Sequence, residues 1–145
     1  MANIILRFSF YTKKEYSNNE LVALKAILPQ TDRITIMGSD ILHYITNEPL
    51  GKKHLETSFE YWHEFTEVCK IDMCNTKWLD IWETKIDILK KIKEDYQFDI
   101  NLDYEITIFD SDYPELYFSP NFLLFLGQNG VVLSFYYYNN TTLSA

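Results

Sequence analysis

Asp99, Asn101, Asp103 and Glu105 stand two residues apart in the stretch DINLDYEITIFD. Oxygen-bearing side chains at the first, third and fifth positions open an EF-hand calcium loop, which also needs glycine at the sixth position and a bidentate glutamate at the twelfth. Here those places hold Tyr104 and Asp110. A bulky tyrosine disfavours the left-handed turn that glycine permits, and aspartate reaches less far than glutamate. The spacing reads instead as one side of a strand. Phe98, Ile100, Leu102, Tyr104, Ile106 and Ile108 alternate with Gln97, Asp99, Asn101, Asp103, Glu105 and Thr107. This alternation predicts a long strand whose even residues build a core and whose odd residues form an acidic row facing water or a partner.

Other chemistry-bearing residues lack the company they would need. HEFTE, from His63 to Glu67, misses the HExxH zinc motif because Glu67 takes the place of the second histidine. It also reads as strand, where residues four apart are separated by about 13 Å. His43 and His54 fall in a predicted loop. Cys69 and Cys74 form a single C-x4-C pair, too few ligands for a zinc site and no disulfide framework for a chain of this size. No G-x-S-x-G elbow positions a serine nucleophile. With four glycines in all, there is neither a dinucleotide-binding fingerprint nor a phosphate-cradling loop. The expectation is no catalytic residue, no metal and no cofactor.

Composition narrows the partner. Thirteen Lys and Arg against twenty-one Asp and Glu give a formal charge of −8. Nucleic-acid affinity rests on Lys and Arg displacing phosphate counterions, so an acidic chain points to a basic protein instead. The N-terminal MANIILRFSFYTKKEY has too short an apolar run for a signal peptide and carries Arg7 within it. No segment approaches the roughly 20 apolar residues of a membrane helix. The expected location is cytoplasmic.

The elements that must position these side chains follow from periodicity and caps. Ile4 to Phe10 is a first strand, and Ser17 or Asn18 caps a helix carrying Leu21, Leu24 and Leu28 up to Pro29. RITIMGSDI is a short edge-like strand, and His43 to Glu56 a surface loop. SFEYWHEFTEVCKIDM sets Phe59, Tyr61 and Phe65 on one side and Trp62 on the other, as in a strand or a hairpin bent near Glu67. Asn75 or Thr76 then caps a helix with a stripe of Trp78, Trp82, Ile86, Leu89, Ile92 and Tyr96. ELYFS is a candidate strand, and Ser119 caps a short helix with Pro120 at its first position. VVLSFYYY, apolar on both faces, is predicted to be a central or covered strand. If Tyr137 follows Val131, Leu133 and Phe135 into the core, Tyr136 and Tyr138 point the other way. The predicted fold is α+β: a mainly antiparallel sheet with about three helices packed on one face, one compact domain over residues 1–145 with 139–145 as a frayed tail.

This order of features resembles a bacterial family of unknown function, domain-of-unknown-function family 4279. The resemblance is carried by LKAILP, by TDRITIMGSD with Arg33, Gly38 and Asp40, by the Trp62 strand, by the mid-chain helix, and above all by PELYFSPNFLLFLGQNGVVLSFYYY. The chain departs from the family pattern at Ser134, where the closing strand tends to be acidic, and in the long loop from His43 to Glu56. The resemblance implies a compact bacterial cytoplasmic domain and supplies no catalytic residue or substrate.

The expected function is a non-enzymatic protein-binding module: an immunity protein that neutralises a basic toxin through Asp99, Asp103, Glu105, Asp110, Asp112, Tyr113, Tyr136 and Tyr138. Opposite charge speeds such an encounter, and tyrosine gives large contact area with a hydroxyl. The alternative is a small-molecule-binding or enzymatic domain with Trp62, Trp78, Trp82 and Tyr136 as pocket walls.

Overall fold

The computed structural model describes residues 1–109 and 111–140. Among these residues, seven strands and four helices follow in the order β1 (Ala2–Thr12), α1 (Asn18–Ile27), β2 (Arg33–Thr35), β3 (Asp40–Leu42), β4 (Pro49–Lys53), β5 (Thr57–Val68), α2 (Ile71–Trp82), α3 (Ile86–Glu94), β6 (Asp99–Ile108), α4 (Pro120–Gln128) and β7 (Val131–Asn139). The main sheet has the order β2-β5-β1-β6-β7. Its pairs are antiparallel except β6 with β7, which are parallel and joined through α4. The fold is therefore mixed, compact and mostly antiparallel, as the sequence pattern implied.

Alternation builds the core. On β1, Ile4, Leu6, Phe8 and Phe10 are fully buried, and on β6 Ile100, Leu102, Tyr104, Ile106 and Ile108 are buried beside them. Phe59 and Tyr61 of β5 lie opposite Phe10 and Phe8. Above this layer, Trp78 and Trp82 meet Phe8 edge-on at 4.9 and 4.6 Å between ring centres, the offset geometry that aromatic quadrupoles favour. Phe122 and Phe125 of α4 close on Trp78 in turn. Tyr104 donates its hydroxyl hydrogen to Asn75 Oδ1 at 2.5 Å, a buried polar pair inside this apolar layer. Trp78 and Trp82 are thus core, not pocket walls, and Trp62 has the opposite parity on β5.

Several local expectations hold. Ser17 forms a reciprocal capping box with Glu20, and Ser119 accepts the Phe122 N–H ahead of Pro120. β5 is one strand kinked where expected: Glu67 takes a φ of 54°, and the pairing with β1 shifts between Ala2 and Ile4.

Others need correction. The mid-chain helix starts at Ile71 rather than Asn75, with no side-chain cap at Lys70, because Ile71 and Cys74 are drawn into the core. It is divided by a 3₁₀ turn at Glu83–Lys85, which leaves Ile86 45% exposed. The loop from His43 contains β4, which pairs with β3 in a separate exposed hairpin held by Lys53 and Asp40. ELYFS is not a strand. It makes one bridge, Glu115 to Lys70, and otherwise connects β6 to α4, since β7 takes the place beside β6. β7 itself is an edge, not a central strand. Val131 and Leu133 pack on the core and Phe135 stacks on Tyr104, but Tyr137 is 50% exposed and does not follow them inward. Of the tail expected to fray, Asn139 closes β7 and the Asn140 N–H donates to Ile108 O at 3.0 Å. Residues 141–145 lie outside the described residues.

Candidate functional site

Because strand side chains alternate, the residues between the core positions share the reverse of the sheet. Pairing registers place Trp62, Arg7, Asp103 and Ser134 in one row across four strands, with Glu64, Ile5, Glu105 and Tyr136 in the next. Thr107 and Tyr138 follow, while Arg33, Glu60, Ser9 and Asn101 form the row that flanks the first in the opposite direction on the same face.

Arg7 organises this surface. Its Nη2 donates to Glu105 Oε1 at 2.7 Å, and its Nε lies 3.7 Å from Glu60 Oε1. The second oxygen of Glu60 is 3.6 Å from Arg33 Nε, so one carboxylate stands between two guanidinium groups. The Arg7 guanidinium carbon sits 5.4 Å from the centre of the Trp62 ring, a cation–π approach. The Trp62 backbone N–H donates to Asp32 Oδ2 at 2.7 Å.

Asp103 has a different environment. Partial burial raises its carboxyl above the usual 3.8, against the opposing pull of a Ser134 hydrogen bond and of Arg7 and with a smaller push from Glu105. Its Oδ1, Asn101 Oδ1 and Trp62 Nε1 are shielded from solvent without a hydrogen-bond partner among the described residues. Such groups are costly unless something supplies the missing bond.

Four of the sequence-predicted residues are therefore brought together: Asp103, Glu105, Tyr136 and Tyr138, the tyrosines 50% and 54% exposed. The rest are dispersed. Asp99 begins β6 opposite Tyr11, about 30 Å along the strand from the end at Ile108. Asp112 lies beyond that far end, bound to the N-terminal ammonium of Met1, and Tyr113 is in the adjoining loop, 64% exposed. Asp110 lies outside the described residues. Arg7, Glu60 and Glu64 were not foreseen. The parity of Ile4, Leu6, Phe8 and Phe10 was the available signal, since it forces Arg7 to the opposite side.

The surface has the means for recognition by charge, hydrogen bonding and aromatic contact. Its carboxylates outnumber its guanidinium groups, which are already engaged. Two clefts lie elsewhere. One, about 690 Å³, is bordered by Lys13, Ile41, Lys52 and Leu55, and another of about 510 Å³ by Ile86, Lys90, Lys93 and Asn129. Burial pushes the Cys74 thiol up to about 11, away from nucleophilic character. Burial also lowers the pKa of His63, with Asp32 opposing. Among the described residues, no group of three or more His, Cys, Asp and Glu side chains converges where a metal ion could sit, and no helix is long and apolar enough to cross a membrane.

No curated protein and no solved structure matches the chain. A family model does match, over residues 32–140, from just before β2 through the end of β7. That span is well over half the chain and contains the Arg33 segment, the Trp62 strand and the closing PELYFSPNFLLFLGQNGVVLSFYYY, with LKAILP outside it. The chain belongs to the DUF4279 family, a domain of unknown function.

Proposed function

We propose that this chain is a non-enzymatic protein-binding module, a bacterial cytoplasmic immunity protein that neutralises a basic toxin domain. In this reading all the helices pack on the face of the sheet that carries Phe8, Phe59 and Tyr104 and leave the reverse face as the binding surface. Asp103, Glu105, Tyr136 and Tyr138 form its contact patch, with Trp62 and Arg7 beside them.

The observation that carries the reading is the contrast in parity. One set of strand residues is sealed, while the other presents carboxylates and half-exposed tyrosines on a chain of charge −8. Such a surface attracts a basic partner over distance and gives its aromatic residues something to bury on contact.

The test is co-purification, then titration calorimetry, with the toxin domain encoded beside this chain. Failure to bind at micromolar concentration sinks the reading. Neutralisation serves better than charge reversal for mapping the patch, since a lysine at position 105 would face Arg7.

A further inference from the structure

The two edges of the main sheet are built differently. Natural sheets guard an edge by keeping the strand short, by charge, by proline or by a bulge. β2, at one edge, is three residues long and carries Arg33. β7, at the other, runs for nine residues without Asp, Glu, Lys, Arg or Pro, and pairs with β6 without a break in register. No described strand pairs with its outer edge. Val132, Phe135, Tyr136, Tyr137 and Tyr138 are all more than a third exposed.

We propose that the outer edge of β7 pairs antiparallel with β7 of a second copy, joining two main sheets into one of ten strands about a two-fold axis at Phe135. Three observations select a second copy as the occupant. The strand is polarised, with small and aliphatic residues Val131 to Ser134 before Phe135 and three tyrosines after it. Antiparallel pairing about Phe135 sets Val132 opposite the partner's Tyr138, Leu133 opposite the partner's Tyr137, and Ser134 opposite the partner's Tyr136. Each tyrosine then meets a smaller side chain and Phe135 meets its own copy on the axis, a cross-strand arrangement without tyrosine facing tyrosine that keeps both faces in parity.

The second observation is charge. Copies carrying −8 each repel. A neutral β7 on each side holds the acidic rows of the two β6 strands three strand spacings apart, about 14 Å. That exceeds the screening length of about 8 Å at physiological salt. The third is that a basic segment would find no counter-charge on β7 itself, whereas the acidic residues lie inward on β6. The pairing is independent of the toxin reading, and it would make the two reverse faces continuous.

Sedimentation equilibrium of the full chain between about 1 and about 100 μM reads the association directly. A reversible dimer is expected, tighter when salt is raised above about 0.15 M because the remaining repulsion is screened. Val132→Lys and Tyr138→Glu, both at exposed positions, are each expected to weaken the dimer at least about tenfold. In a mixture of the two variants, Lys faces Glu across the seam, so the mixed dimer is expected to recover. Circular dichroism of each variant alone reports its fold. A chain that remains monomeric at about 100 μM overturns the proposal. So does a dimer that Val132→Lys leaves intact, or a mixture of folded variants that gives no mixed dimer. Hydrogen-exchange protection of β7 that appears only with the basic toxin domain would assign the edge to that partner's strand and likewise overturn self-pairing.

Discussion

Phe8 and Arg7 are neighbours in β1, yet Phe8 is sealed beneath the rings of Trp78 and Trp82 while the Arg7 side chain is one-third exposed among carboxylates. The same contrast runs along β6, where Tyr104 is buried against Asn75 and its neighbours Asp103 and Glu105 face the other way. Two faces of one backbone thus carry different duties. The even side holds the chain folded through close aromatic packing, and the odd side holds charges in partial contact with water. Changes on the first should register in stability, and changes on the second in recognition and pH response.

The largest effect should come from opening the even side. Trp78 is fully buried against Phe8, Phe122 and Phe125, so Trp78→Ala is expected to cost about 3–5 kcal/mol. Against a typical total of about 5–15 kcal/mol, urea denaturation should show a chain near or beyond its limit. A loss of a few tenths would mean that the two layers are not held together through this ring.

A smaller loss is expected when a single hydroxyl is removed from the same side. Tyr104→Phe takes away the hydrogen bond that the buried Asn75 Oδ1 accepts, at about 1–2 kcal/mol. Adding Asn75→Leu should recover part of it, because a buried polar pair replaced by apolar groups leaves nothing unsatisfied. If the double variant is worse than the sum of the singles, packing rather than hydrogen bonding decides this spot.

The odd side should respond more weakly and with the opposite sign. Partial burial raises the Asp103 carboxyl above its ordinary 3.8, which favours the protonated form in the folded chain. Stability from that group is present at low pH and lost as pH rises through the folded value, so ionised Asp103 is a small burden at neutral pH. Asp103→Asn is expected to melt higher than the parent at pH 7, by about 2 °C after solvent screening. The gain should vanish below 3.8, where the parent is protonated as well. A lower melting point at pH 7 would show that the pull of Arg7 and Ser134 outweighs burial.

What was legible in the sequence tracks the same division. β6 could be read residue by residue because unbroken alternation has one structural meaning, and α1 and α4 because Ser17, Ser119 and Pro120 mark their starts. β7 could not be placed, since a run apolar on both faces suits a buried central strand and an unguarded edge equally well. The start of α2 gave no cap to read, and the β3–β4 hairpin buries too little to impose an alternation. For the candidate site, parity placed Asp103, Glu105, Tyr136 and Tyr138 together, but it is silent about residues beyond the strand ends. Asp99 and Asp112 accordingly fell at opposite ends of the sheet. Arg7 was hidden inside a strand that reads as apolar, although its odd position already assigned it to the charged side.

The most direct test of this division is titration of the adjacent toxin domain with the Glu105→Gln/Tyr136→Ala variant, alongside its thermal melt. Glu105 and Tyr136 are register partners on the face of the sheet that carries Arg7, and neither belongs to the core. The expected result is binding weakened at least about tenfold, or about 1.4 kcal/mol, with the melting temperature within a few degrees of the parent. Unchanged affinity in a folded variant, or a collapse of stability comparable to Trp78→Ala, would contradict the account.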